Sequence, residues 1–288
     1  MSARLRAIAR ETEVIVEQRF YRTPAGREVS IERALAAALS GTRLYGPEPV
    51  PVAVLDSDRT TVFEVTGESS LQAARRMTGE GPGKVAVLNF ASARNPGGGY
   101  LNGAQAQEEA LCRGSALYAT LLRVPGHYAH HRAERSAFYT DRVIHSPGVP
   151  VFRDDRGRLL DIPCTVGFLT SPAPNAGVIR SRTPEDAPRI PAALASRAER
   201  VLEVAAVCGY RRLVLGAWGC GVFRNDPAQV AGAFRALLTD GGRFAGHFEQ
   251  IVFGVLDRGP ESATRTEFAR TFEKELRLPG PDTPRPRR

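Results

Sequence analysis

The chain has 288 residues, long for one domain and short for two, with 42% hydrophobic and 24% charged side chains, the ordinary composition of a soluble globular protein. No apolar run approaches the ~18 residues of a membrane helix. Met1–Phe20 carries no apolar signal segment, so the cytoplasm is the expected location. The net charge of +8 and pI of about 9.8 suit a polyanionic partner, but the excess is almost all arginine, with lysine only at Lys84 and Lys274. The basic residues are scattered, so the charge is either functional or a bias of composition.

Residues 1–47 read as helical, with Leu5, Ile8 and Ala9, then Ile31, Ala34, Leu35 and Leu39, at helical spacing. The breaker Tyr45–Pro51 leads into a core in which strands and helices alternate. Strands are expected at Val52–Leu55, Thr61–Thr66, Lys84–Phe90, Arg142–Ser146, Cys164–Thr170, Leu213–Gly216 and Gln250–Leu256. Ser69 or Ser70 caps a helix to about Met77, and another helix runs from about Ala106 to Leu122 with Leu111, Leu117 and Leu121 on its core face. A helix from Pro191 to Val207 stops at Gly209. Asp226 and Pro227 start the next, and Thr264 with Glu267 make a capping box for the last. The tail from Leu278 is rich in proline and arginine and is expected to be disordered.

Cys112, Cys164, Cys208 and Cys220 form no CxxC pair, which speaks against a zinc site of the usual spacing. His127 and His131 stand four apart in GHYAHHR without the glutamate a zinc protease needs between them, so a polar surface is the expectation there.

Strands joined by helices indicate a mixed or mostly parallel sheet between helical layers, with ligands bound beyond the carboxyl ends of the strands. Two glycine-rich loops fall at such ends, Asn95–Gly99 and Gly216–Asp226. Neither is a P-loop or a dinucleotide fingerprint, but backbone N–H groups in such loops hold phosphate oxygens, and two loops at neighbouring strand ends can grip a diphosphate from both sides. Phe223 either stacks on a base or ribose or anchors its loop. Glu108 and Glu109 lie in the first turn of their helix, about 100° apart, so one of them is the proton donor or both merely complement the helix dipole. Spacing does not choose between them. A catalytic glutamate here needs burial or a bound phosphate to keep its proton near neutral pH.

The triplet Gly97-Gly98-Gly99, a seven-residue spacer and Gln107-Glu108-Glu109 resemble the signature of the poly(ADP-ribose) glycohydrolases. HSPGVPVFRDD and LGAWGCGVFRND resemble later blocks of the bacterial branch, and the resemblance spans roughly residues 50–257. It implies a macrodomain-like three-layer α/β/α sandwich with a mixed central sheet, preceded by an N-terminal helical extension. The domains would be an accessory segment at 1–50, a catalytic domain at 51–277 and a tail at 278–288.

The implied activity is hydrolysis of the ribose–ribose O-glycosidic bond of poly(ADP-ribose), from the chain terminus, releasing ADP-ribose. Glu109 would be the catalytic acid and base, Glu108 would orient a ribose hydroxyl, and Asn95 would position the ribose beside the scissile bond. Gly97, Gly98 and Gly99, with Gly219, Cys220, Gly221, Val222 and Phe223, would hold the diphosphate, Phe223 packing on the terminal adenosine, and Gln107 joins the binding set. Glu68 is a candidate for reading the adenine, or a capping residue. No metal or cofactor is implied. ADP-ribosylated proteins are implied as partners, and a membrane is not. The alternatives are a reader that binds ADP-ribose without cutting, or a mono-ADP-ribosyl hydrolase on the same scaffold. A nucleic-acid binder, suggested by the pI, lacks a recognisable motif.

Overall fold

The computed structural model describes residues 2–53, 60–256 and 262–276. Its centre is a seven-stranded sheet. In chain order the strands are β3 (Arg43–Tyr45), β4 (Val62–Thr66), β5 (Val85–Phe90), β6 (Val143–Arg153), β7 (Leu159–Ser171), β8 (Arg212–Leu215) and β9 (Gln250–Gly254). Their spatial order is β3-β6-β7-β5-β8-β9-β4. The pairs from β7 through β5, β8 and β9 to β4 are parallel, whereas β6 runs antiparallel to both its neighbours. The sheet is therefore mixed, as expected.

The period-two alternation of a strand divides the core between two helical layers. In β5, Ala86 and Leu88 join one apolar cluster, while Val85 and Val87 join the other. The first cluster is closed by α7 (Ala176–Arg182), α8 (Ile190–Val207), α9 (Pro227–Leu238) and α10 (Ala263–Thr271). The second is closed by α1 (Ala3–Gln18), α2 (Glu32–Gly41), α3 (Ser70–Glu80), α4 (Gln107–Gly114), α5 (Leu117–Leu121) and α6 (Pro125–Ala133). The result is an α/β/α sandwich. Among the described residues no helix is long and apolar enough to cross a membrane.

Several local expectations need correction. The first 47 residues are not all helical: β1 (Phe20–Arg22) and β2 (Glu28–Ser30) form a hairpin between α1 and α2, and β3 adds an edge strand to the main sheet. The helix expected from Ala106 to Leu122 is two helices. Ser115 adopts an extended conformation (φ −149°, ψ 176°) and pairs with Val151. Its hydroxyl donates to Leu111 O at 2.7 Å and accepts from Leu117 N at 3.2 Å, closing α4 and starting α5. Leu111, Leu117 and Leu121 are still buried, because the apolar spacing continues across the break.

The last helix is capped by Ser262, which accepts from Arg265 N, rather than by Thr264 and Glu267. His127 and His131 are fully buried in α6 instead of forming a polar surface, and burial pushes them down to about 3 and about 4, so both rings are neutral. Of the strand expected at Val52–Leu55, Val52 and Ala53 are irregular, and the rest lies outside the described residues, as does the tail from Leu278. The helix expected to end at about Met77 runs on to Glu80, and the remaining caps stand as read. Ser69 and Gln72 form a capping box on α3, Asp226 caps α9, and Gly209 follows α8 with a φ of 75°.

Candidate active site

β5 and β8 are parallel neighbours in the sheet, so the loops that leave their carboxyl ends lie side by side. Between them opens a cleft of about 930 Å³, lined by both loops, by Ser69 and Ser70 at the start of α3, and by Tyr139, Asp155 and Leu256.

The first loop is built around two carboxylates. Gly97 and Gly98 have φ of 65° and 56°, a region that L side chains enter only with strain. A Cβ on Gly98 would lie 2.5 Å from Glu109 Oε1, so glycine is also required by the close approach of α4. Gly99 N–H donates to Glu109 Oε1 at 2.8 Å. Glu109 is 8% exposed and lines the cleft, and its Oε2 is buried without a protein partner.

Glu108, 2% exposed, turns the other way, toward the end of the sheet. It accepts from Ser92 N at 2.7 Å and from Asn89 Nδ2 at 3.2 Å. The same Asn89 amide donates to Thr170 Oγ1 at 3.1 Å, which anchors it to β7. Burial pushes Glu108 up to about 8, against the pull of Ser92 N–H and Asn89, and the neighbouring Glu109 adds to the rise. The divergence expected of adjacent helical residues is thus present, and both carboxylates are nonetheless buried at the cleft.

Gln107 lines the cleft as well, and its side chain is engaged with the protein. Its carbonyl accepts from Phe90 N at 2.9 Å, and its amide donates to Leu88 O at 2.8 Å and Ser70 Oγ at 3.0 Å. The side chain clamps the start of α4 to the end of β5, which sets the depth of both glutamates. Gly97 does not line the cleft; its N–H faces Glu108, and a Cβ on it would lie 2.8 Å from the Tyr118 ring.

The second loop is held from behind by an amide and an indole. Asn225 Nδ2 donates to Pro174 O at 2.8 Å and Gly219 O at 3.3 Å, and Trp218 Nε1 donates to Ser171 O at 2.9 Å. Gly219 has a φ of 71°, and a Cβ there would lie 2.5 Å from Asn225 Nδ2. Gly219, Cys220, Gly221, Val222 and Phe223 all line the cleft, opposite Asn95, Gly98 and Gly99. Phe223 lies with its ring centroid 5.9 Å from that of Tyr139, which closes the same wall.

Sequence reasoning missed Tyr139, which stands in an irregular segment at a φ of 59° with no spacing to mark it. It also missed Asn89, hidden inside an apolar strand pattern, and Asn225, whose place just before the Asp226 cap was the only signal. Glu68 is absent from the cleft lining. Its carboxylate takes Arg76 at 3.0 and 2.9 Å, a structural ion pair on α3. Among the described residues no group of three or more His, Cys, Asp and Glu side chains is placed to hold a metal ion.

An α/β/α sandwich whose glycine loops face two buried carboxylates across a cleft is a macrodomain-like fold with the equipment of an anion-binding hydrolase. The family model for the microbial-type PARG catalytic domain matches residues 9–154, half of the chain, including the first loop and both glutamates. The chain belongs to that family of poly(ADP-ribose) glycohydrolases. The crystal structure of the enzyme from Thermomonospora curvata is 52% identical, covers 94% of this chain and 100% of its own, and superposes with a TM-score of 0.90. The structure from the same organism bound to the inhibitor ADP-HPD is 54% identical over the same shares, with a TM-score of 0.87. The enzyme from Deinococcus radiodurans in complex with ADP-ribose is 49% identical, covers 83% of this chain and 97% of its own, and has a TM-score of 0.76. No match was found among curated proteins.

Proposed function

We propose that this protein hydrolyses the ribose–ribose O-glycosidic bonds of poly(ADP-ribose) from the chain terminus and releases ADP-ribose, with Glu109 as acid and base. The observation that carries the assignment is the state of Glu109. One carboxylate oxygen is fixed by Gly99 N–H and the other is buried without a partner. The bond to Gly99 N–H holds the side chain at the wall of the cleft beside the glycine loop. A carboxyl placed there supplies the proton donor that bond cleavage needs and that ADP-ribose binding alone does not.

In this reading the terminal ADP-ribose lies across the cleft, its diphosphate between Gly98–Gly99 and Gly219–Phe223. Asn95 and Glu108 orient the ribose at the scissile bond. Glu109 gives its proton to the departing ribose oxygen as positive charge develops at the anomeric carbon, then takes a proton from the attacking water. Burial pushes the neighbouring Glu108 up to about 8. A diphosphate in the loops adds further negative charge nearby, in the same direction.

Residues 1–50 act as an accessory segment to the catalytic domain at 51–277. Ser2 N donates to Gly103 O, and Tyr100, directly after the glycine triplet, donates to Ala9 O at 3.1 Å, so α1 supports the first loop from behind. The four free cysteines suit the reducing cytoplasm. ADP-ribosylated proteins are the macromolecules that would carry the substrate, and direct nucleic-acid binding forms no part of the reading. The test is incubation of the purified protein with poly(ADP-ribose), without added metal, followed by separation of products by size. Free ADP-ribose is expected; polymer that is retained but never shortened would make this a reader.

A further inference from the structure

Part of the arginine excess gathers beside the cleft, which Arg94 lines. Arg132, Arg135, Arg180 and Arg224, all exposed, are linked to the exposed Arg94 by a chain of contacts that forms an arc. The connections along it are explicit. Arg132 donates to Arg94 O at 2.7 Å, and Arg94 donates to His131 O at 3.2 Å and Arg135 O at 3.4 Å. Arg94 also lies 6.0 Å from the Tyr139 ring centroid, and Tyr139 packs on Phe223 at 5.9 Å. Arg224 follows Phe223, and Arg180 donates to Arg224 O at 2.9 Å. Among the described residues none of the five is paired with a carboxylate, and the bonds they make are to backbone carbonyls, which leave the guanidinium charge unbalanced. Glu134 sits in the same turn as Arg132 and Arg135 without pairing with either, Asp226 is spent capping α9, and Asp155 lies in the cleft lining. Arg76, Arg197 and Arg243 are matched with acids, whereas Arg10, Arg33 and Arg123 are unpaired among the described residues but scattered, so what distinguishes the five is their grouping beside the cleft.

An uncompensated arc of arginines beside aromatic rings fits a flexible polyanion with π-faces better than a folded protein surface. Its position adds a direction. Arg94 directly precedes Asn95, at the end of the cleft assigned to the scissile bond, so a polymer leaving that end meets Arg94, Arg132 and Arg135 first, and Arg180 and Arg224 continue the arc past Phe223.

We propose that Arg94, Arg132, Arg135, Arg180 and Arg224 are the track for the next unit of the polymer, holding the diphosphate on the far side of the bond that is cut. The inference rests on the glycohydrolase reading and names what that reading lacks, a binding site for the part of the substrate that stays behind. The terminal unit is held by backbone N–H groups and the preceding unit by side-chain charge. Only the second interaction is strongly salt-dependent, because guanidinium–phosphate pairing releases counterions.

The test compares two ligands on an inactive background. The Glu109→Gln protein and the same protein carrying Arg135→Gln and Arg224→Asn are titrated with ADP-ribose and with size-selected poly(ADP-ribose) at several salt concentrations. Asparagine tolerates the positive φ of 55° at position 224. ADP-ribose is expected to bind both proteins equally. Polymer is expected to bind the arginine variant about tenfold more weakly. Its salt slope is expected to fall by roughly one to two, since each phosphate neutralised on a single strand contributes ~0.7. Equal polymer affinity and equal slope in the two proteins would overturn the proposal. So would single-stranded DNA bound through the same arginines as tightly as polymer and undisplaced by ADP-ribose, since the arc would then be a nucleic-acid surface. Polymer turnover by the native protein is measured alongside. Its absence would sink the glycohydrolase reading without touching the binding comparison, so the two failures are distinguishable.

Discussion

The two glycine loops sit side by side on neighbouring parallel strands, yet they are built from different materials. The first is organised by charge: Gly98 and Gly99 wrap the carboxylate of Glu109, and Glu108 ties the loop's start to Asn89 on β5. The second contains no carboxylate in its binding stretch and is held from behind by Asn225 and Trp218. A loop that grips its own acid is suited to chemistry, and a loop held by neutral amides is suited to presenting N–H groups to an anion. The comparison teaches that similar glycine content in one cleft divides into a reacting wall and a holding wall.

The comparison can be broken at five points. The largest effect is expected from Glu109→Gln, which keeps the shape and removes the proton, with a loss of 10²–10⁴ in kcat, on the scale of ~10²–10⁴ for general acid–base catalysis, read from initial rates on polymer. Next is Gly98→Ala. It forces a side chain into a φ of 56° and pushes a methyl to 2.5 Å from Glu109 Oε1. Misplacing the acid this way is expected to lower kcat on the order of 10²-fold, and a near-native rate would show that the loop does not position Glu109.

On the holding wall, Asn225→Ala removes the amide that pins Gly219. It is expected to raise the Kd for ADP-ribose about tenfold, or ~1.4 kcal/mol, with a smaller change in kcat; a kcat loss matching that of Glu109→Gln would erase the distinction between the walls.

Glu108 supplies a pH-dependent test. Its pKa is raised from 4.5 to about 8 in the folded protein, so between those values the folded state holds a proton that the unfolded chain has released. Its contribution to stability is therefore complete below 4.5 and is lost as pH rises through about 8. Melting curves across that window are expected to fall with pH more steeply for the native protein than for Glu108→Gln, and parallel curves would contradict the raised pKa. The smallest effect belongs to Gly221→Ala. A Cβ there meets nothing within 4 Å, so stability is expected to stay within about 0.5 kcal/mol. Any weakening of ADP-ribose binding in that variant reports how closely the diphosphate approaches this backbone.

Much of this arrangement was legible in the sequence, for identifiable reasons. The strand β5 showed as a short apolar run and the α9 start as Asp226-Pro227, because capping and burial leave local marks. The cleft residues Asn95, Gly98, Gly99, Glu108, Glu109 and Gly219–Phe223 were found because the motif is contiguous. What failed was what depends on partners far along the chain. The Ser115 break is invisible to periodicity, since leucines keep their spacing across it, and the cause is a bridge to Val151. His127 and His131 look polar in sequence and are buried by long-range packing. Asn225 and Asn89 act through hydrogen bonds to Pro174 and Thr170, which no local pattern connects to them.

The central claim is that one wall reacts while the other holds, and it is tested most directly by calorimetric titration of ADP-ribose into Glu109→Gln and Asn225→Ala, with polymer cleavage measured on the same two preparations. The account predicts that Glu109→Gln binds ADP-ribose like the native protein and scarcely cuts, while Asn225→Ala binds it more weakly and still cuts. Parallel loss of binding and cleavage in both proteins would contradict it, and would make Glu109 a structural part of the loop instead of its acid.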